Sequence, residues 1–148
     1  MKIDQKVLLN IDLKSQQEVF TLIAEEAVKE GYGNDKEAIL VGLKNRELEG
    51  TTGMMDGFAI PHAKSKSILK SSLIILKLNK GIEWDSMDGK KIEFVISLLI
   101  PEEEKGTSHL KLLSKVARLL MREDAKNDLK QAMTEIEIEN VLNKYIVD

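Results

Sequence analysis

Few side chains in this sequence can carry out chemistry. The chain has two histidines, His62 and His109, and no cysteine. The absence of cysteine excludes thiol nucleophiles, disulfides and cysteine zinc sites together, and agrees with a reducing compartment. His62 follows Pro61 at the end of the short extended piece Phe58-Ala59-Ile60, because a residue before proline is pushed out of the helical region. Side chains just past strand ends line the ligand crevice of open α/β sheets, and Pro61 stiffens the approach. An imidazole there titrates near neutrality and could act as nucleophile or acid–base group; the alternative is a solvent-exposed loop histidine. His109 heads the apolar stripe Leu112, Leu113, Val116 and Leu120 at the start of a helix. A helix N-terminus disfavours positive charge, so this imidazole is expected to be neutral and a donor. Taken alone, His109 is better read as a half-buried first-turn histidine satisfied by the backbone.

Arg46 shares a helix face with Ile39, Gly42 and Leu43, so its guanidinium continues an apolar stripe. A cation near a helix C-terminus is favoured by the dipole, which is one account of it. The other is anion binding, because the planar fork matches phosphate oxygens and the neighbouring segment is glycine-rich. That segment, Gly50-Thr51-Thr52-Gly53-Met54-Met55-Asp56-Gly57, reads as a loop whose backbone N–H groups could face an anion.

Other chemistries lack their signatures. The G-x-x-x-x-G-K-[ST] order is absent, Gly31-Tyr32-Gly33 follows a helix and lacks a third glycine, and no H-E-x-x-H or G-x-S-x-G occurs. Glu102-Glu103-Glu104 and the Glu135, Glu137, Glu139 cluster read as solvated surface. With 22 basic and 25 acidic residues, the net charge of −3 leaves no electrostatic footprint for nucleic acid.

These residues need a scaffold. At 148 residues, with 43% hydrophobic and 32% charged, the chain is expected to form one domain over residues 1–148. The opening residues hold no apolar stretch of signal-peptide length, and apolar runs such as Leu98-Leu99-Ile100 fall far short of a membrane span. The expected location is the cytosol, with no membrane insertion. Ser15 and Glu18 form a capping box that opens a helix carrying Phe20, Ile23, Ala24, Ala27 and Val28 inward and Glu25, Glu26, Lys29 and Glu30 outward, ended by Gly31. A second helix is predicted from Asn34 to about Glu49. Ser72–Leu78 and Ile92–Ile100 read as strands, with Asp88-Gly89 a turn before the second and Pro101 its end. A third helix is predicted from Thr107 or Ser108, a short one over Asp124 to Met133, and a last one opened by a Thr134–Glu137 capping box. Strands in the middle with helices at both ends predict an α/β fold with a mixed, mostly parallel central sheet and helices on both faces.

The run Arg46-Glu47-Leu48-Glu49-Gly50-Thr51-Thr52-Gly53-Met54-Met55-Asp56-Gly57-Phe58-Ala59-Ile60-Pro61-His62-Ala63-Lys64 resembles the signature of the fructose/mannitol-type IIA components of the bacterial phosphoenolpyruvate-dependent sugar phosphotransferase system. In that family an Arg-Glu pair precedes a Ser/Thr-Thr-Gly loop and an Ala-Ile-Pro-His run. The stretch from Ser108 to Leu120 is similar to the family's second histidine-bearing helix, and Trp84 to Gly89 and Phe94 to Pro101 also match. The likeness covers about Asp4 to Ile146. Many members have an aliphatic residue and a glycine where this chain has Met54 and Met55.

The resemblance implies a phosphoryl relay. The small carrier protein HPr is the donor to His62, the cysteine of a separate IIB component is the acceptor, and a IIC membrane permease lies downstream. It implies His109 and Arg46 as donors to the phosphoryl oxygens and Thr51, Thr52 and Gly53 as the phosphoryl-binding loop. No metal or nucleotide cofactor is implied. The same fold and histidine also resemble nitrogen-branch regulatory IIA proteins, which signal by phosphorylation-dependent binding.

Overall fold

A computed structural model describes residues 3–103 and 108–146, with the side chains of Ser108 and His109 outside the described set. The elements run β1 (Asp4–Ile11), α1 (Gln16–Lys29), α2 (Lys36–Glu49), β2 (Phe58–Ala59), β3 (His62–Ser65), β4 (Ser72–Ile82), β5 (Ile92–Pro101), α3 (Ser108–Leu119), α4 (Glu123–Gln131) and α5 (Glu135–Ile146). They form one five-stranded sheet in the order β1-β4-β5-β2, with β3 continuing the β2 edge along β5. Strands β1 and β4, β2 and β5, and β3 and β5 pair in parallel, while β4 and β5 run antiparallel. The mixed, mostly parallel sheet is the one expected.

The apolar run of β5 explains its place at the sheet's centre. A strand covered on both faces reads as continuously hydrophobic. Phe94, Ile96, Leu98 and Ile100 face a layer with Val116, Leu119, Leu129, Ile138 and Leu142 of α3, α4 and α5. Val95 and Leu99 face the opposite layer with Phe20, Ile23, Ile39 and Leu43 of α1 and α2.

Local chemistry sets most boundaries. Ser15 Oγ accepts from Glu18 N–H at 3.2 Å, whereas Glu18 Oε1 reaches back to Lys14 N–H, one residue before the cap. The Gly31 and Tyr32 N–H groups close α1 onto Val28 O and Ala27 O, the paired bonds of a Schellman end. Thr134 caps α5 as expected, accepting from Glu137 N–H. Several expectations need correction. The cap of α2 is Asp35, not Asn34. Glu26 is buried and Val28 is exposed, the reverse of their assignment around α1. Strand β1 was not anticipated, because its register is supplied by β4 and its own sequence alternates poorly. Thr107, one candidate start of α3, lies outside the described residues.

Candidate functional site

The last turn of α2 and the first residue of β3 meet at His62. Ile39 and Leu43 are buried, as their helical spacing requires, and Arg46 follows them on the same face. Gly42 makes this approach close: a Cβ there would lie 3.2 Å from the Ala63 Cβ. Arg46 is thereby carried over the sheet edge, where its Nε donates to His62 Nε2 at 3.0 Å and its Nη1 to Gly50 O at 2.8 Å. The helix-end reading of Arg46 thus has a structural counterpart in the Gly50 O contact, and its other contact is to the His62 imidazole.

His62 is part-buried and belongs to a strand, not to a loop after one: it pairs with Leu98 at the start of β3. The separate strand goes unseen in sequence because Pro61 has no N–H to give the ladder between β2 and β3, although its carbonyl accepts from Leu98 N–H at 3.0 Å. His62 Nδ1 lies 2.9 Å from Ile60 O. A carbonyl can only accept, so Nδ1 carries the proton and Nε2 presents its lone pair. Burial is the main cause that lowers the His62 pKa from 6.5, and the Arg46 charge adds to it, while the Ile60 carbonyl opposes it. The imidazole is neutral at pH 7, with its nucleophilic nitrogen facing a guanidinium.

The glycine-rich segment is more ordered than a loop reading suggests. Gly53 bridges both Ala59 and Ser86, and Asp56 and Gly57 take φ of 60° and 86° in a tight turn between Met55 and Phe58. This Asp-Gly pair is the same turn signal as Asp88-Gly89. The positive angles fall on Asp56 and Gly57, so Met55 needs no glycine-like backbone. Met55 is exposed, and Met54 packs against the layer beneath α3 to α5.

Donors of Thr51, Thr52 and Gly53 are taken up within the protein, although Thr51 itself is exposed. Thr52 N–H donates to Glu47 Oε2 at 2.8 Å and its hydroxyl to Glu47 Oε1 at 2.6 Å. Gly53 N–H donates to Thr51 Oγ1 at 3.0 Å, and the Thr51 hydroxyl donates to Asp85 O. Trp84 Nε1–H also reaches Glu47 Oε2, at 3.2 Å, and its ring stands edge-on to Phe20. In the sequence Glu47 appears only in the Arg-Glu pair, and its three donors become visible once Thr52 and Trp84 are folded against it. His109 falls in the first turn of α3, and its side chain lies outside the described residues.

The family model described as "Phosphoenolpyruvate-dependent sugar phosphotransferase system, EIIA 2" matches residues 3–145. A fructose-specific EIIA component of Haloferax volcanii is 35% identical, over 81% of this chain and 77% of its own length. A nitrogen regulatory protein of Bradyrhizobium diazoefficiens is 33% identical, over 93% of this chain and 89% of its own. The crystal structure of nitrogen regulatory protein IIA-Ntr from Neisseria meningitidis shares the fold, with a TM-score of 0.85 at 24% identity over 92% of each chain. Against the fructose-specific EIIABC component of Bacillus subtilis, 32% identical, the match covers 94% of this chain but 22% of that protein.

Proposed function

The chain belongs to the phosphoenolpyruvate-dependent sugar phosphotransferase system EIIA type-2 family, and from that premise we propose that residues 1–148 form one EIIA domain that accepts phosphate from phospho-HPr on His62 and passes it to the cysteine of a IIB component. The IIC permease of such a system takes up the sugar, and this carrier works beside it in the cytoplasm. Among the described residues no helix is long and apolar enough to cross a membrane. The EIIABC name of the Bacillus relative supports IIB and IIC as the companions.

The observation that carries the proposal is the state of the His62 imidazole: Nδ1 held by Ile60 O and Nε2 unprotonated beside Arg46. In the step itself, the Nε2 lone pair forms the new P–N bond as the P–N bond of the donor phosphohistidine breaks. The electron pair of the broken bond returns to the donor imidazole, and the Nδ1 proton of His62 stays in place. Arg46 then exchanges its contact with Nε2 for the phosphoryl oxygens. Such a loose transition state is served by positioning and charge stabilisation, with little need for a general base. His109, opening α3, is the second donor. Thr51, Thr52 and Gly53 are the phosphoryl-binding loop of this reading, braced by their bonds to Glu47, Asp85 and one another. Incubation with phosphoenolpyruvate, enzyme I and HPr should add one acid-labile phosphoryl group, which His62→Ala abolishes; undiminished labelling of that variant refutes the assignment.

The Bradyrhizobium relative favours a second reading, a nitrogen-branch regulator that signals by phosphorylation-dependent binding. The two part at the acceptor. A sugar carrier discharges onto a IIB cysteine in a single turnover, and a regulator retains its phosphate in the presence of IIB.

A further inference from the structure

Two consecutive residues at the end of α2 lead to the two nitrogens of one imidazole. Successive helical side chains diverge by about 100°. Arg46 goes directly to Nε2 of His62. Glu47 goes the other way, and its carboxylate gathers the Thr52 N–H, the Thr52 hydroxyl and the Trp84 indole N–H. The route continues from there. Thr52 O accepts from Ile60 N–H at 3.0 Å, and Ile60 O accepts from His62 Nδ1 at 2.9 Å. Thr52 is 3% exposed and Ile60 8%, so neither has much room to re-aim its carbonyl toward another partner.

We propose that Glu47 is a positioning residue for phosphoryl acceptance, fixing the His62 tautomer through Thr52 and Ile60. The inference rests on His62 being the acceptor and assigns a role to a residue outside the phosphoryl contacts. Three N–H and O–H groups converge on the two carboxylate oxygens. A glutamine can keep its oxygen on the two N–H groups and donate its NH2 to the Thr52 hydroxyl oxygen, whereas an alanine leaves all three donors without this acceptor. Thr52 would then shift, and the Ile60 carbonyl bonded behind it is the one His62 depends on. A bare Nε2 is competent only while Nδ1 holds the proton. The Arg46 Nε–H also keeps the proton off Nε2, so the Ile60 carbonyl alone holds the tautomer once the guanidinium turns to the phosphoryl oxygens.

The test is Glu47→Ala in the full chain, alone and combined with Arg46→Ala, read in three ways. Imidazole 15N shifts at pH 8, assigned with the help of His109→Gln, report the tautomer. Emission of Trp84, the one tryptophan in the sequence, reports whether the carboxylate contact is altered. Single-turnover labelling by phospho-HPr reports the rate. Wild type and Arg46→Ala should show Nδ1 protonated and Nε2 bare. Glu47→Ala should show altered Trp84 emission and labelling slowed roughly tenfold to a hundredfold, the scale of a misplaced reacting group, and its combination with Arg46→Ala should show averaged tautomer shifts. A folded double variant with the imidazole shifts of Arg46→Ala overturns the inference, whatever the labelling rate of Glu47→Ala. If the double variant does not fold, Thr52→Val with Arg46→Ala removes the hydroxyl donor alone; a smaller tautomer shift in the same direction supports the inference and an unmoved tautomer overturns it. The imidazole measurement needs no phosphate, so its failure is separable from labelling of His62→Ala, which would instead refute His62 as the acceptor.

Discussion

Replacement of Arg46 by lysine separates the two roles the guanidinium holds. One is structural: Nη1 reaches Gly50 O at 2.8 Å, where a cation at a helix C-terminus contributes about 0.3–1 kcal/mol. The other is at the imidazole, where Nε meets His62 Nε2 at 3.0 Å. A lysine keeps the charge, so the helix-end contribution should be largely retained and Tm should move by no more than about 2–4 °C. It cannot keep the fork. A single ammonium on a flexible stem occupies one of the two positions at a time, and bidentate placement on two phosphoryl oxygens is lost. Loss of one preorganised charge-stabilising donor costs on the order of a hundredfold to a thousandfold in rate, or about 2.7–4 kcal/mol. The assay is quenched-flow single turnover from labelled phospho-HPr, with thermal melts recorded on the same preparations. A rate within about twofold of wild type would refute the phosphoryl role and leave Arg46 as a helix terminator.

Three further outcomes are expected. Because burial lowers the His62 pKa below 6.5, the unfolded imidazole binds a proton in the window below 6.5 that the folded one does not; the His62 contribution should therefore destabilise the fold as pH drops through that window and be absent above it, a slope that His62→Gln should remove from urea melts. Gly53→Ala would place a Cβ 2.9 Å from Asp85 O and Ser86 Cα, so a lowered urea midpoint worth about 1–3 kcal/mol is expected, with slower labelling. His109→Ala should still be labelled by phospho-HPr but should pass phosphate to IIB more slowly; complete loss of labelling in a folded variant would make His109 an essential positioning group or an acceptor.

What the amino-acid sequence determined by itself was local and periodic. Ser15, Thr134 and the apolar spacing of Ile39, Leu43 and Arg46 specify helices and faces through contacts three or four residues apart, which a linear reading can follow. The strongly apolar Ile92–Ile100 read as a strand, and the Ala-Ile-Pro-His run singled out His62. Tertiary structure decided the rest. Strand β1 takes its register from β4, the short β3 from β5, and neither pairing is encoded within the strand that receives it. Glu26 sits inside the protein although its helical neighbours gave it an outward place. Glu47 gained its donors only when Thr52, five positions on, and Trp84, on another segment, were folded against it. The protonated nitrogen of His62 was likewise undetermined until Ile60 O and Arg46 Nε took their places on opposite sides of the ring. Helical periodicity and capping act between near neighbours, whereas a carboxylate's donors and an imidazole's tautomer depend on groups that only packing brings within about 3 Å.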